Sequence, residues 1–427
     1  MYSFVFRFAQ CFLFILPFQF ALAPVPGVDL PLSRVLAPLL FLSWLASGLA
    51  RRRLRLPFDA IGAGLLIFLF FGVLSLFFAE RSDWAVRRLT FLLTFLPLFP
   101  VFVGVIAEYG RDGIRRLLVP FVAGATLVAL SGIFQFLLQF PFGVASVFRF
   151  WTGMVFPFFL GPGFSSAVAE YPSLLVDLGG HAVLRASAFF PDPHMFAFYV
   201  GMAWPVALSL VREAKTPVAR CLSAVAVVLL PIAVILSVSR GGYVGLAFGI
   251  ALLVVMVSEG RDVMKRVLVV AGLSSALFLS FVFDTPVRSR FFSVFSVEEG
   301  SNEGRLALFR EAGGKIAERP LGYGLGNYPL AVKPTADYRE PIYAHDIFLD
   351  IATEYGVFGM AVFLFAVCTA CFRLFRSRGE PLLRAGAVSL AIFFGHALFE
   401  TPLYSVHILP VLLLVLALPS TCGRIEA

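Results

Sequence analysis

The chain alternates long apolar runs with short polar punctuation. Runs of roughly 18 or more residues with few or no charges recur from end to end, which is the length a helix needs to cross a bilayer. The pattern predicts about twelve spans, near residues 3–23, 34–50, 58–79, 87–107, 117–140, 193–212, 219–238, 242–258, 267–283, 345–372, 384–400 and 404–419. Backbone in lipid must satisfy its own hydrogen bonds, so the spans are helices and the fold class is all-α, a polytopic membrane bundle. The first run ends in Ala21-Leu22-Ala23, similar to a signal-peptidase site, but it is long enough to span, and a retained first helix is expected. There is no soluble stretch and no short-period repeat, so residues 1–427 read as one integral membrane domain.

Charge fixes the sidedness. Basic clusters at Arg51–Arg53 and Arg55, Arg111–Arg116, Arg212–Arg220, Arg261–Arg266 and Arg373–Arg378 follow alternate spans, as cytoplasmic loops do. Both termini are then cytoplasmic, and two long segments face outward, residues 141–192 and 284–344. The first is rich in Phe, Gly and Pro, too broken for a span. It reads as an interfacial or re-entrant piece with Trp151 near the headgroups. In the second, residues 303–318 form an amphipathic helix with Leu306, Phe309, Ala312 and Ile316 on one face, suited to lie on a membrane.

Composition narrows the class. The chain is 59% hydrophobic, which excludes an ordinary soluble domain. The formal charge of +8 follows from the basic inner loops and needs no nucleic acid. None of the five cysteines falls in a predicted outer loop, so no disulfide framework is expected. Cys368 and Cys371 form a CxxC, but inside a span.

Four polar places stand out against this background, since ionisable groups at membrane helix ends are candidates for function. Arg185 precedes Pro191-Asp192-Pro193-His194; it either snorkels or meets a ligand, and Asp192 suits a helix cap. Arg240, in SVSRGG, sits in a tight hairpin or beside a bulky group that the glycines admit. The outer loop carries Arg288, Arg290, Arg305, Arg310, Lys315, Arg319, Lys333 and Arg339, of which about half should be solvated. His345 is placed in the first turn of a span, with Leu349, Ala352, Gly356 and Gly359 below it on one face. It is either a capping histidine or a general base, which must be neutral. Asp346, Asp350 and Glu354 follow at i, i+4, i+8. They could hold a divalent metal, but packing or orienting the base is the preferred reading, and no metal or other cofactor is expected. GYGLGN, residues 322–327, is a Gly-rich turn rather than a nucleotide loop.

These places, in this order, resemble the O-antigen ligase and polymerase family of bacterial surface-glycan assembly. The segments that carry the resemblance are RASAFFPDPHMFAFYV, SVSRGGYVGL, GRLALFREAGGKIAERPLGYGLGNY, AHDIFLDIATEYGVFGM and, more weakly, GHALFETPLY. The resemblance implies a C-type (GT-C-like) membrane glycosyltransferase at the periplasmic face of the inner membrane, using neither metal nor nucleotide. It implies a donor glycan on undecaprenyl pyrophosphate, with Arg185, Arg240 and Arg305 holding the pyrophosphate. His345 would take the acceptor's proton, supported by Asp346, Asp350, Glu354, Arg288 and Arg290. The acceptor would be lipid A-core or a growing glycan. This chain has Asp-Pro-His where the family often has Asn-Pro-Asn, Asp346 where it often has Asn, and Phe309 where Trp is frequent. The competing reading is a transporter or export component for polysaccharide or anionic lipid.

Overall fold

The computed structural model describes residues 2–25, 28–52, 54, 56, 58–170, 173–178, 180–257, 300–338, 340 and 342–421. The expected ninth span, Arg261–Arg266, Arg288, Arg290 and Arg339 lie outside these residues.

The helices in order are α1 (Tyr2–Ile15), α2 (Leu32–Ala50), α3 (Ala60–Leu74), α4 (Ser82–Phe95), α5 (Leu98–Phe142), α6 (Val144–Phe150), α7 (Phe156–Leu160), α8 (Pro162–Glu170), α9 (Pro193–Glu213), α10 (Pro217–Leu236), α11 (Arg240–Val257), α12 (Gly300–Glu318), α13 (Tyr328–Val332), α14 (Ile347–Arg376), α15 (Pro381–Ala397) and α16 (Ile408–Ala417). Sheet among the described residues is confined to two antiparallel hairpins, β1 (Ala21–Leu22) with β2 (Leu30–Pro31), and β3 (Leu175–Leu178) with β4 (His181–Leu184). The protein is a multi-pass helical membrane protein. Among the described residues six helical stretches have full crossing length and apolarity, and shorter apolar helices, including Arg240–Met256, Pro381–Ala397 and Ile408–Ser420, accompany them. Large apolar side chains face outward on these helices. On α14, Phe358, Phe365 and Phe372 recur at heptad spacing and are all more than half exposed, which is a lipid-facing stripe.

Two ends of the bundle are distinguished by their contacts. At one end Arg51 meets Glu108, Arg111 meets Glu213 and Glu380, Lys215 meets Asp112, and Arg373 meets Asp59. At the other, His407 reaches the Leu16 carbonyl, Gln139 bonds Leu184, and His345 meets Glu400. The run Ser82–Phe142 folds back between them. Both of its ends lie at the second end, and its bend at Gly110 (φ 59°) lies at the first. Among the described residues, Arg51, Arg111, Lys215 and Arg373 of the predicted basic clusters gather at the first end.

The helix-to-helix contacts use small residues, as lipid-embedded interfaces do. A Cβ on Gly64 of α3 would lie 2.8 Å from the Ala366 Cβ of α14, and one on Gly249 of α11 would lie 2.4 Å from Ile392 of α15. The long α14 is not continuous: Gly356 (φ 78°, ψ 172°) breaks it. The break frees the Thr353 and Glu354 carbonyls, and the Gly-rich turn satisfies both. Tyr323 N donates to Thr353 O at 2.8 Å, Gly324 N to Glu354 O at 3.1 Å, and Val357 N to Pro320 O at 2.9 Å. Gly322 (φ 88°) and Gly356 approach so closely that a Cβ on either would sit 2.6–2.7 Å from the other segment's backbone. GYGLGN is therefore a turn, as its sequence reads, and its occupant is a broken membrane helix.

Four expectations are corrected. The first helix is shorter than its apolar run: a 3-10 turn at Leu16–Phe18 follows α1, and Ala21 and Leu22 enter β1. Trp151 is not an exposed anchor: it is 5% exposed and donates its indole N–H to Ala188 O at 2.6 Å, so it ties residues 144–170 to the 185–190 segment. On α12, Leu306 is 45% exposed, while Ala312 is fully buried against Tyr328 and Ala344; the helix packs on α14 through a stripe that begins at Arg305. Gly356 interrupts the face proposed below His345, so Gly359 belongs to a different segment.

Gly356→Ala should lower the stability of the detergent-solubilised protein by roughly 1–3 kcal/mol, because both φ and the facing backbone forbid the methyl. Gly313→Ala in α12, where a Cβ meets open space, serves as the comparison and should be neutral or mildly stabilising. Thermal unfolding of the two variants side by side checks this, and equal midpoints would remove the proposed hook.

Candidate active site

The site is assembled at the second end from five pieces of chain: residues 185–194 before α9, the α10–α11 link, the first turn of α12, residues 342–346 before α14, and the α15–α16 link.

Two caps place the outer helices. Asp192 accepts from His194 N at 2.6 Å and Met195 N at 2.9 Å, with Pro193 at the first helical position. Asp346 accepts from Phe348 N and Leu349 N, both at 2.9 Å. His345 is therefore not in the first turn of α14 but one residue before its cap. Its backbone is left-handed, φ 56°. That conformation costs a non-glycine residue on the order of 1 kcal/mol. It turns the imidazole away from the helix axis, so that Nδ1 lies 3.1 Å from Glu400 Oε1.

The three acids predicted on one stripe divide three tasks. Asp346 caps the helix. Asp350 accepts from Ala344 N at 2.7 Å and from the Thr401 hydroxyl, so one carboxylate fastens the neighbours of both His345 and Glu400. Glu354 turns to Arg88 (3.9 Å) and to the Tyr404 hydroxyl (3.1 Å). They diverge instead of converging on a shared cation.

Arg185 is held by backbone. It donates to Ser237 O at 2.8 Å, Ser173 O at 2.9 Å and Val238 O at 3.3 Å, and its Nη2 lies 3.4 Å from His194 Nε2. An arginine can only donate, so His194 Nε2 accepts and Nδ1 carries the proton. That proton goes to Ser239 Oγ at 2.9 Å, and the hydroxyl in turn donates to His396 Nε2 at 3.2 Å. The network pins the α10–α11 link, where Val238 is left-handed (φ 49°), a rare state for a β-branched residue. The glycines of SRGG are accounted for as well. A Cβ on Gly241 would lie 2.4 Å from the His396 ring, which stacks on Phe198 at 3.6 Å.

Arg240 opens α11 and is 3% exposed. Arg305 reaches in from α12, its Cζ 5.5 Å from the Phe399 ring and its Nη1 buried without a hydrogen-bond partner. Burial lowers the Arg305 pKa, the nearby Arg240 charge adds to this, and Glu400 opposes it. Arg310 is exposed and Lys315 and Lys333 pair with Glu318 and Glu340, which is the solvated half expected of the loop. The Glu400 charge, and burial after it, push the Tyr343 hydroxyl well up. The Tyr343 ring packs at a tilt against His345, centroids 4.2 Å apart. The structure thus brings Arg185, Arg240, Arg305 and His345 together. Sequence reasoning missed Glu400, His194, Ser239 and His396. Each lies inside a segment that carried the family resemblance, but none could be singled out without knowing which loops meet.

A sequence model of the O-antigen ligase family matches residues 225–364. The matched segment, about a third of the chain, is similar to that family. It contains Arg240, Arg305 and His345, and it supports an O-antigen ligase- or polymerase-like function and, broadly, glycosyltransferase activity. Arg185, His194 and Glu400 lie outside the O-antigen ligase match and join it only in three dimensions. No curated protein matches the chain.

Burial, and then the Glu400 charge, push the Asp192 carboxyl up to about 6. An unfolded Asp titrates near 3.9, so between about pH 4 and pH 6 the folded form holds more protons. The Asp192 contribution is fully present below that window and is lost as pH rises through it. Asp192→Asn keeps a cap without the charge. Its thermal midpoint should gain on the wild type progressively from pH 4 to pH 7, by up to about 3 kcal/mol. A difference that does not vary with pH would contradict the assignment.

Proposed function

We propose that the chain is a membrane glycosyltransferase of the O-antigen ligase or polymerase type. It moves a glycan from undecaprenyl pyrophosphate to an acceptor hydroxyl at the periplasmic face of the bacterial inner membrane. The observation that carries this reading is the contact of Glu400 with His345 Nδ1, beside the two buried guanidiniums of Arg240 and Arg305. The acceptor is either lipid A-core or another lipid-linked glycan.

The chemistry follows from the donors and acceptors. The Glu400 carboxylate accepts Nδ1–H, which leaves the Nε2 lone pair of His345 as the base. The acceptor oxygen forms a bond to the anomeric carbon as its proton passes to Nε2. The bond from that carbon to the pyrophosphate oxygen breaks, and its electron pair leaves with the pyrophosphate. Arg240 and Arg305 meet the charge that develops there. Two like charges held close at a buried site repel, and an anion between them turns that cost into binding. Arg185 works through the backbone: it holds the link that carries Arg240. Asp350 keeps His345 and Glu400 in register.

With purified protein, a pyrophosphate-linked glycan and an acceptor, release of undecaprenyl pyrophosphate reports transfer. His345→Ala should lower kcat by about 10²–10⁴, and Glu400→Gln by a similar order, because the amide no longer selects the Nδ1–H tautomer. Donor affinity should fall instead in Arg305→Ala. Undiminished turnover by a folded His345→Ala protein would end the proposal.

A further inference from the structure

Beside the site lies a second group of arginines that this chemistry does not use. It forms where the start of α2, the start of α4, the 333–344 loop and the α15–α16 link meet. Arg34 stands over the Phe91 ring at 5.8 Å, Arg87 over Tyr338 at 5.0 Å, and Arg88 over Tyr404 at 4.0 Å. Phe91 and Tyr404 are themselves 5.9 Å apart, and Tyr338, under Arg87, is near enough to act on both Arg34 and Arg88, so the three guanidiniums share one aromatic-walled cleft.

Charge in this cleft is unbalanced. Glu354 answers Arg88 at 3.9 Å, and Tyr404 donates to the same carboxylate. Arg34 is partly exposed and Arg87 exposed, and among the described residues neither makes an ion pair or a hydrogen bond. Two guanidiniums therefore offer unused forks of donors around a tyrosine hydroxyl. That set of groups suits a phosphate, whose oxygens take bidentate N–H pairs.

The cleft is also edged by apolar surface. Leu39 on α2 and Val86 and Leu93 on α4 are about half exposed, on the outward sides of the same helices. An occupant with a phosphate in the cleft can keep hydrocarbon against these side chains. The α15–α16 link runs from the first site to the second: Glu400 touches His345, and Tyr404 walls the cleft. Four residues of extended chain reach at most about 14 Å, so the two sites lie within a few sugar lengths of each other.

We propose that Arg34, Arg87 and Arg88, with Tyr338, bind a phosphate group carried by the membrane-anchored acceptor. The assignment to the acceptor rests on the glycosyltransferase reading above; the phosphate site itself does not. The pyrophosphate of the donor occupies Arg240 and Arg305, and the acceptor's phosphate occupies this cleft, so that two lipid-linked substrates lie on either side of the Glu400 link.

Native mass spectrometry of the full chain in detergent, with phosphatidic acid and phosphatidylcholine as probes, tests the site directly. The wild type should retain phosphatidic acid in preference. Arg34→Gln with Arg87→Gln should reduce that retention by about tenfold or more, the loss expected for one or two charge-assisted bonds. Arg34→Lys with Arg87→Lys restores the charge and should recover part of it, which separates lost charge from lost fold. Equal retention by the Gln and wild-type proteins would overturn the proposal. So would complete displacement of phosphatidic acid by millimolar inorganic phosphate, which assigns the cleft to a soluble anion. In the transfer assay the Gln variant should raise KM for a phosphorylated acceptor, with kcat and donor KM unchanged and no effect on a dephosphorylated acceptor. If neither protein transfers glycan but the binding difference holds, the glycosyltransferase reading fails and the phosphate site stands.

Discussion

Glu400 is a carboxylate in a place that water hardly reaches, and the site end of the bundle depends on answering its charge. A buried anion is tolerated only when partners surround it. Its partners come from distant parts of the chain: His345 from the segment before α14 and Arg305 from α12. Removing the carboxylate would take away the charge that offsets the burial of Arg305 and its repulsion from Arg240.

The structure adds support behind these charged groups without adding further charges. Asp350 spends both carboxylate oxygens on neighbours of the His345–Glu400 contact, one on a backbone N–H and one on a hydroxyl. Arg185 spends its fork on three carbonyls. The left-handed Ala188, Val238 and His345 all lie in segments that border the site. Backbone states of this kind persist where surrounding contacts over-determine them. Here those contacts are the Arg185 carbonyl clamp, the Trp151 bond to Ala188 and the Asp350 tether.

Much of the fold was legible because hydropathy and basic clusters act locally. Most of the described helices were visible within their own windows, and Asp192 announced its cap through the flanking prolines. Helix ends were less legible, because caps and breaks depend on partners elsewhere in the chain. His345 was placed inside α14 because nothing in AHDIFLD shows that Asp346 takes the cap. Gly356 was read as a packing residue because the turn that fills its break lies some thirty residues upstream. Arg240, Arg305 and His345 were identifiable as polar residues in apolar surroundings. Glu400 was hidden in a short link, and only the approach of α14 to that link reveals what it faces.

The broken helix also sets depth. Beyond Gly356, α14 runs about 20 residues to Arg376, which at 1.5 Å per residue is roughly 30 Å, the thickness of a hydrocarbon layer. The part from Ile347 to Tyr355 is thus surplus to crossing and rises like a short mast above the oil. Asp350, Glu354 and the residues they fasten ride on that mast. A sugar chain tethered to a lipid would meet this apparatus without dipping into the bilayer or lifting its own anchor out of it.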